Sequence, residues 1–171
     1  MTVEAWLVTY DERVGGVLST GAVFDHVAHA APRIRDLLPI YQELLGGTFL
    51  RGGTHSLGFR DVQLGYADGS KMELIEPTEG STFLDSFFRR HPQGGLHHIT
   101  FLVPDVRAAV AAAERAGCRV HGASYERIRW QEAFLHPSTF HGALVQLAQP
   151  GGDYRHAHPE QRLDEVLDGR G

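Results

Sequence analysis

Val23 to Ala30 is a short, mostly apolar stretch interrupted by Asp25, His26 and His29, and it reads as a strand. Beyond Pro32 the interval changes. Ile34, Leu37, Leu38, Tyr41, Leu44 and Leu45 keep helical spacing, and Gly46-Gly47 ends the run. Pro39 is tolerated only in a first helical turn, so the pattern predicts either an N-cap at Asp36 or a kink. Thr48–Arg51, Phe59–Ala67 and Lys71–Glu76 then read as three strands, with turns at Gly52-Gly53 and Asp68-Gly69. Residues 81–91 read as a linker helix. Ser81 is its N-cap, Phe83, Leu84, Phe87 and Phe88 form its apolar stripe, and Pro92-Gln93-Gly94-Gly95 ends it.

The order then starts again. Leu96–Val103 reads as a strand, Val106–Ala116 as a helix closed by Gly117, and strands are predicted near Cys118–Ala123, Trp130–Leu135 and Ala143–Ala148. The repetition extends to residue identity. The stretch 25–35 returns as 97–107 with His, Pro and Arg superposed, and Glu73-Leu74-Ile75-Glu76-Pro77 returns as Gln146-Leu147-Ala148-Gln149-Pro150. The predicted fold class is therefore α+β, with two βαβββ modules (23–77 and 96–150) in one domain spanning 23–150. One such unit alone leaves a sheet face uncovered. Two side by side bury that face and curl into a shared cleft. Residues 1–22 form an N-terminal extension, in which Trp6 to Tyr10 is an apolar segment. Residues 151–171 read as a polar, solvated C-terminal tail with a short helix within 159–168, and with His156 and His158 exposed.

Composition narrows the function classes. Of the 171 residues 42% are apolar, enough for a packed core. A net charge of −5 and the lack of a basic run argue against nucleic acid as a partner. No stretch approaches the roughly 20 apolar residues of a membrane span, and the N-terminus lacks the apolar run of a signal peptide. Cys118 is the single cysteine, which excludes an intrachain disulfide and fits a cytoplasmic location.

The repeat has a chemical content. His26 and His98 occupy one position of the first strand of each module, and Glu73 and Gln146 one position of the last. Singly, each is an ordinary strand residue. Jointly, across a pseudo-twofold axis, two imidazoles, a carboxylate and an amide oxygen form an N/O ligand set for a divalent ion: cobalt, manganese, nickel, zinc or iron. His97 and His29 have the opposite strand parity and point away.

This arrangement resembles the vicinal oxygen chelate (glyoxalase/bleomycin resistance/dioxygenase) superfamily, and most closely its methylmalonyl-CoA epimerase branch. The likeness rests on Asp25-His26-Val27-Ala28, Glu73-Leu74-Ile75-Glu76-Pro77, Gly95-Leu96-His97-His98-Ile99 and Phe134-Leu135-His136-Pro137. It implies the glyoxalase fold, metal ligands at His26, Glu73, His98 and Gln146, a small-molecule acyl-CoA substrate and a homodimer. The expected activity is epimerisation of a 2-substituted malonyl-type acyl-CoA by removal of the α proton from a metal-chelated thioester. Two departures stand out. Epimerases of this branch carry Gln in the first module and Glu in the second, and here the two are exchanged. They also carry a glutamate base on the second strand, whereas Arg51 to Phe59 contains no carboxylate. His55, Glu132 and His141 are the candidate proton-transfer groups. The alternatives are a glyoxalase-like lyase or isomerase acting on another dioxygenated molecule, and a metal-free protein that binds a drug or metabolite. Dioxygenase chemistry is disfavoured because Gln146 stands where the iron-bound carboxylate is expected.

Overall fold

The computed structural model describes residues 20–152, 158 and 160–170. Trp6 to Tyr10 and His156, singled out in the sequence, lie outside the described residues. Eight strands form one mixed sheet: β1 (Val23–Ala30), β2 (Thr48–His55), β3 (Phe59–Gly65), β4 (Lys71–Pro77), β5 (Gly95–Leu102), β6 (Val120–Ser124), β7 (Trp130–Leu135) and β8 (Val145–Pro150). Their order is β2-β3-β4-β1-β5-β8-β7-β6. Within each module the first and last strands run parallel, β1 with β4 and β5 with β8. The modules join through the antiparallel β1–β5 pair. The charge of Arg127, in the loop between β6 and β7, acts on His55 at the end of β2, so opposite ends of the strand order approach each other and the sheet curls. The expected two-module architecture is the observed one.

The outer face carries the helices. In the second module α2 (Val106–Arg115) starts at Asp105, whose side chain accepts a hydrogen bond from the Ala108 N–H at 2.9 Å. It buries Val106, Ala109 and Val110 against Ala133, Leu135, Val145 and Leu147. The first module has no equivalent. Its helical run breaks into a 3-10 turn, Ile34–Asp36, and a π-helical segment, Pro39–Leu44, with Pro39 in the first turn of the second piece. Asp36 caps neither piece and pairs instead with Arg33 at 2.8 Å. The predicted linker helix shrinks to one turn, α1 (Asp85–Phe88). The Ser81 hydroxyl folds back to accept from Phe83 N, and Leu84 and Phe87 are buried while Phe83 is exposed.

The C-terminal segment corrects the reading of a solvated tail. Its helix α3 (Leu163–Leu167) buries Val166 and Leu167 among Ile34, Val62, Leu64 and Leu74, covering the face that the broken helix leaves open. This contact also explains why Gly52-Gly53 is not a turn. Both glycines lie inside β2, and a side chain at Gly52 would meet Asp61 O at 2.5 Å and Val166 Cγ1 at 2.9 Å. The turn comes later, at Gly58, whose φ of 93° suits only glycine. Val166 is 1% exposed. Val166→Ala should cost about 2 kcal/mol in denaturant unfolding from two lost methyl groups and the void left behind. A cost near zero would make α3 a loose appendage. Among the described residues no helix is long and apolar enough to cross a membrane.

Candidate functional site

Strand pairing builds the site. His26 lies opposite Thr100 on β5, Thr100 opposite Gln146 on β8, and Glu73 opposite both Ala28 on β1 and Gln63 on β3. All these side chains share the concave face. His26 Nε2 lies 3.6 Å and His98 Nε2 3.4 Å from Glu73 Oε2, and ligand atoms of the three residues fall within 4.8 Å of one another. Gln146 joins through Thr100, which is wholly buried. Its hydroxyl donates to Gln146 Oε1 at 2.7 Å and lies 3.0 Å from His26 Nε2. The structure thus brings His26, Glu73 and His98 together, and Gln146 is linked to them through Thr100.

The electrostatics suit a cation. Burial holds His98 at a pKa of about 3, despite the opposing charge of Glu73, so it is neutral at working pH. Its Nε2 is the one buried side-chain polar atom without a hydrogen-bond partner among the described residues. Burial would likewise lower His26, but Glu73 and Asp25 outweigh it and raise His26 to about 9. Burial would raise Glu73; the two imidazoles hold it far below the usual carboxylate range instead. His26 and Glu73 form an ion pair at 3.6 Å beside an imidazole nitrogen that has no hydrogen-bond partner. An orphaned donor site of this kind is costly unless something fills it. The donor set of two imidazoles and a carboxylate fits a divalent ion.

A second layer orients these ligands. Asp25 Oδ2 lies 2.7 Å from His26 Nδ1, and Lys71 Nζ donates to Asp25 Oδ1 at 2.6 Å. His97 Nδ1 lies 2.9 Å from His98 Nδ1. A proton on His98 Nδ1 donated to His97 leaves the Nε2 lone pair for the ion. His97 is therefore a neighbour of the cluster and no member of it. His29 points away, to the Tyr41 hydroxyl at 2.9 Å.

The three proton-transfer candidates separate. His55 Nε2 lies 2.6 Å from Asp61 Oδ1, and its ring stacks on Phe59. Burial would lower His55, but the Asp61 hydrogen bond and charge, with that of Glu73, raise it. The charge of Glu73 also reaches Asp61, so this dyad stands on the wall beside the His26, Glu73 and His98 cluster. Glu132 stands on the other wall, its Oε2 accepting from Trp130 Nε1 at 2.9 Å and from Gln146 Nε2 at 2.6 Å. His141 is exposed in the turn before β8, with a left-handed φ of 50°, and none of the described contacts of the cluster reaches it. Sequence reasoning missed Asp61, Thr100 and the Lys71–Asp25 pair. A signal existed for Asp61, which has the strand parity of Gln63 and Phe59, but the register of β2 was needed to set it against His55.

Comparison with known proteins agrees with this geometry. The chain is 32% identical over 131 residues to an ethylmalonyl-CoA/methylmalonyl-CoA epimerase of Cereibacter sphaeroides, covering 73% of this chain and 96% of that one. A Streptomyces coelicolor methylmalonyl-CoA epimerase variant, solved in complex with 2-nitronate-propionyl-CoA, superposes with a TM-score of 0.63 at 27% identity, covering 75% of this chain and 97% of that one. A hypothetical protein from Bacillus halodurans superposes with a TM-score of 0.68 at 26% identity over 77% of this chain and 96% of that one. Residues 25–134 match the Glyoxalase/Bleomycin resistance protein/Dioxygenase superfamily. With the paired modules and the concave cluster of imidazoles and carboxylate, this places the chain within that superfamily, to which it belongs.

Proposed function

We propose that this chain is a metal-dependent epimerase of a 2-substituted malonyl-type acyl-CoA such as methylmalonyl-CoA. The observation that carries the proposal is the convergence of His26, Glu73 and His98 on one point, with His98 Nε2 buried and unpartnered. His26, Glu73, His98 and Gln146 would hold cobalt, manganese, nickel, zinc or iron. Such an ion, when bound, would supply Lewis-acid stabilisation of the negative charge that develops on the thioester. The names of the relatives support the substrate class.

The protein's own groups handle the proton. His55 donates its Nε2 proton to Asp61, which leaves Nδ1 as the acceptor for the α proton. Glu132 stands on the opposite wall, where a proton must be returned to invert the centre. Asp25 and Lys71 fix the His26 ring, so Asp25→Asn should weaken cobalt binding by roughly 10- to 100-fold in a competition titration. An unchanged affinity would make that pair purely structural. The proposal includes a cytoplasmic homodimer, supported by exposed Val23, Phe24 and Leu96 on the two central strands.

The direct test is proton–deuterium exchange at C2 of methylmalonyl-CoA in D₂O. Exchange that appears with cobalt and vanishes with chelator is expected. Exchange no faster than in the metal-free control would end the proposal.

A further inference from the structure

Each last-strand ligand has a partner on the neighbouring strand, and the two pairs are chemically inverted. In the first module the ligand is a carboxylate, Glu73, and its partner an amide, Gln63, which donates to it. In the second module the ligand is an amide, Gln146, and its partner a carboxylate, Glu132, which accepts from Gln146 Nε2 at 2.6 Å. The same Glu132 oxygen accepts from Trp130 Nε1, so the indole fixes the carboxylate and the carboxylate fixes the amide. An amide has one oxygen and one NH₂ group. With the NH₂ bound to Glu132, the oxygen faces Thr100 and the cation cluster, where Thr100 donates to it at 2.7 Å.

The geometry points to Glu132 as the positioning residue that decides which module supplies the charged ligand. This rests on the metal site proposed above and adds a reason for its asymmetry. A glutamate in place of Gln146 would set two carboxylates in contact, with no donor between them, and like charges that close repel. With Glu132 present, only an amide can occupy the second last-strand position and still aim an oxygen at the ion. The negative ligand is thereby left to the first module, where the NH₂ of Gln63 receives it. In this chain the two partners thus match an amide in the second module and a carboxylate in the first. The net charge of the ligand set is unchanged, but the carboxylate comes to lie beside the wall that carries Asp61 and His55.

A cycle of four proteins tests this: the wild type, Glu132→Gln, Gln146→Glu and the double variant, each titrated with cobalt(II) against a chelator and followed by its d–d absorption. Gln146→Glu should be at least tenfold less favourable to cobalt affinity in the wild-type background than in the Glu132→Gln background, where an amide again faces a carboxylate. Separately, Glu132→Leu should weaken cobalt roughly 10- to 100-fold and alter the absorption, because the Gln146 amide loses its anchor. Glu132→Gln should largely restore both, because its carbonyl oxygen accepts the same bond. Equal effects of Gln146→Glu in the two backgrounds, within twofold, would overturn the inference while leaving the metal site intact. A wild type that takes up no cobalt would overturn the inference together with the functional reading beneath it.

Discussion

Replacement of His98 by leucine is expected to abolish metal uptake and to cut C2 proton exchange by roughly a thousandfold, while the metal-free protein keeps its stability. The activity figure follows from Lewis-acid stabilisation worth several kcal/mol, with each 1.4 kcal/mol contributing a factor of ten. The stability half of the prediction is the sharper one. A buried polar atom with no partner costs about 1–3 kcal/mol, and His98 Nε2 is such an atom. An apolar side chain of similar volume removes that cost, which offsets the lost Nδ1 contact with His97, so in chelator the variant should melt close to the wild type. Added cobalt should separate the two. At a hundredfold excess over Kd the wild type gains about 2.7 kcal/mol, and the variant gains nothing. A histidine kept for packing would behave in the opposite way, destabilising the protein when replaced and leaving any metal response intact. Thermal unfolding with and without cobalt distinguishes the two cases.

The four ligands were legible because the evidence for them is local and duplicated. Strand alternation assigns a face to each residue, and the repeat tells which faces correspond. His26 and His98, Glu73 and Gln146 needed no register beyond that to be candidates; the structure sets ligand atoms of His26, Glu73 and His98 within 4.8 Å of one another and ties Gln146 to them through Thr100. What escaped the sequence depends on long-range pairing. Lys71 is the chain's single lysine and begins β4, but its bond to Asp25 exists only because β1 and β4 run parallel and adjacent. Asp61 meets His55 only because β2 continues through Gly52-Gly53, where the lack of a side chain at Gly52 leaves room for Asp61 O and Val166. A glycine pair is ordinarily a turn signal, and close approach of another backbone or side chain overrides it. The docking of α3 had a visible trace, since Leu163, Val166 and Leu167 keep helical spacing inside a polar stretch. Three apolar residues in a charged segment carry too little area to announce a core contact. Only the uncovered face of the first module gives them a place to go.

The second large effect concerns the proton. His55→Asn is expected to lower C2 exchange by about 10²–10⁴-fold with cobalt content unchanged, the span typical of a lost general base. Asp61→Asn should leave a slower enzyme with a displaced pH profile, and the sign of the displacement is fixed. Burial lowers the His55 pKa, yet the carboxylate of Asp61 and the charge of Glu73 raise it above the ordinary value. As a base His55 must be neutral, so exchange rises as the pH climbs through that raised pKa. Without the Asp61 charge the imidazole gives up its proton more readily, and the acid limb of kcat/KM moves to lower pH. The plateau falls at the same time, because the ring loses the partner that holds Nε2 and aims Nδ1. A role for the dyad in stability alone would lower the melting temperature and leave the limb in place. The wall that bears His55 thus offers an imidazole oriented by a carboxylate in place of the glutamate that the second strand lacks, and the raised pKa makes that imidazole a stronger base once its proton is lost. Full exchange in His55→Asn with metal retained would move the base to another group on the cleft walls, with Glu132 the carboxylate already standing there.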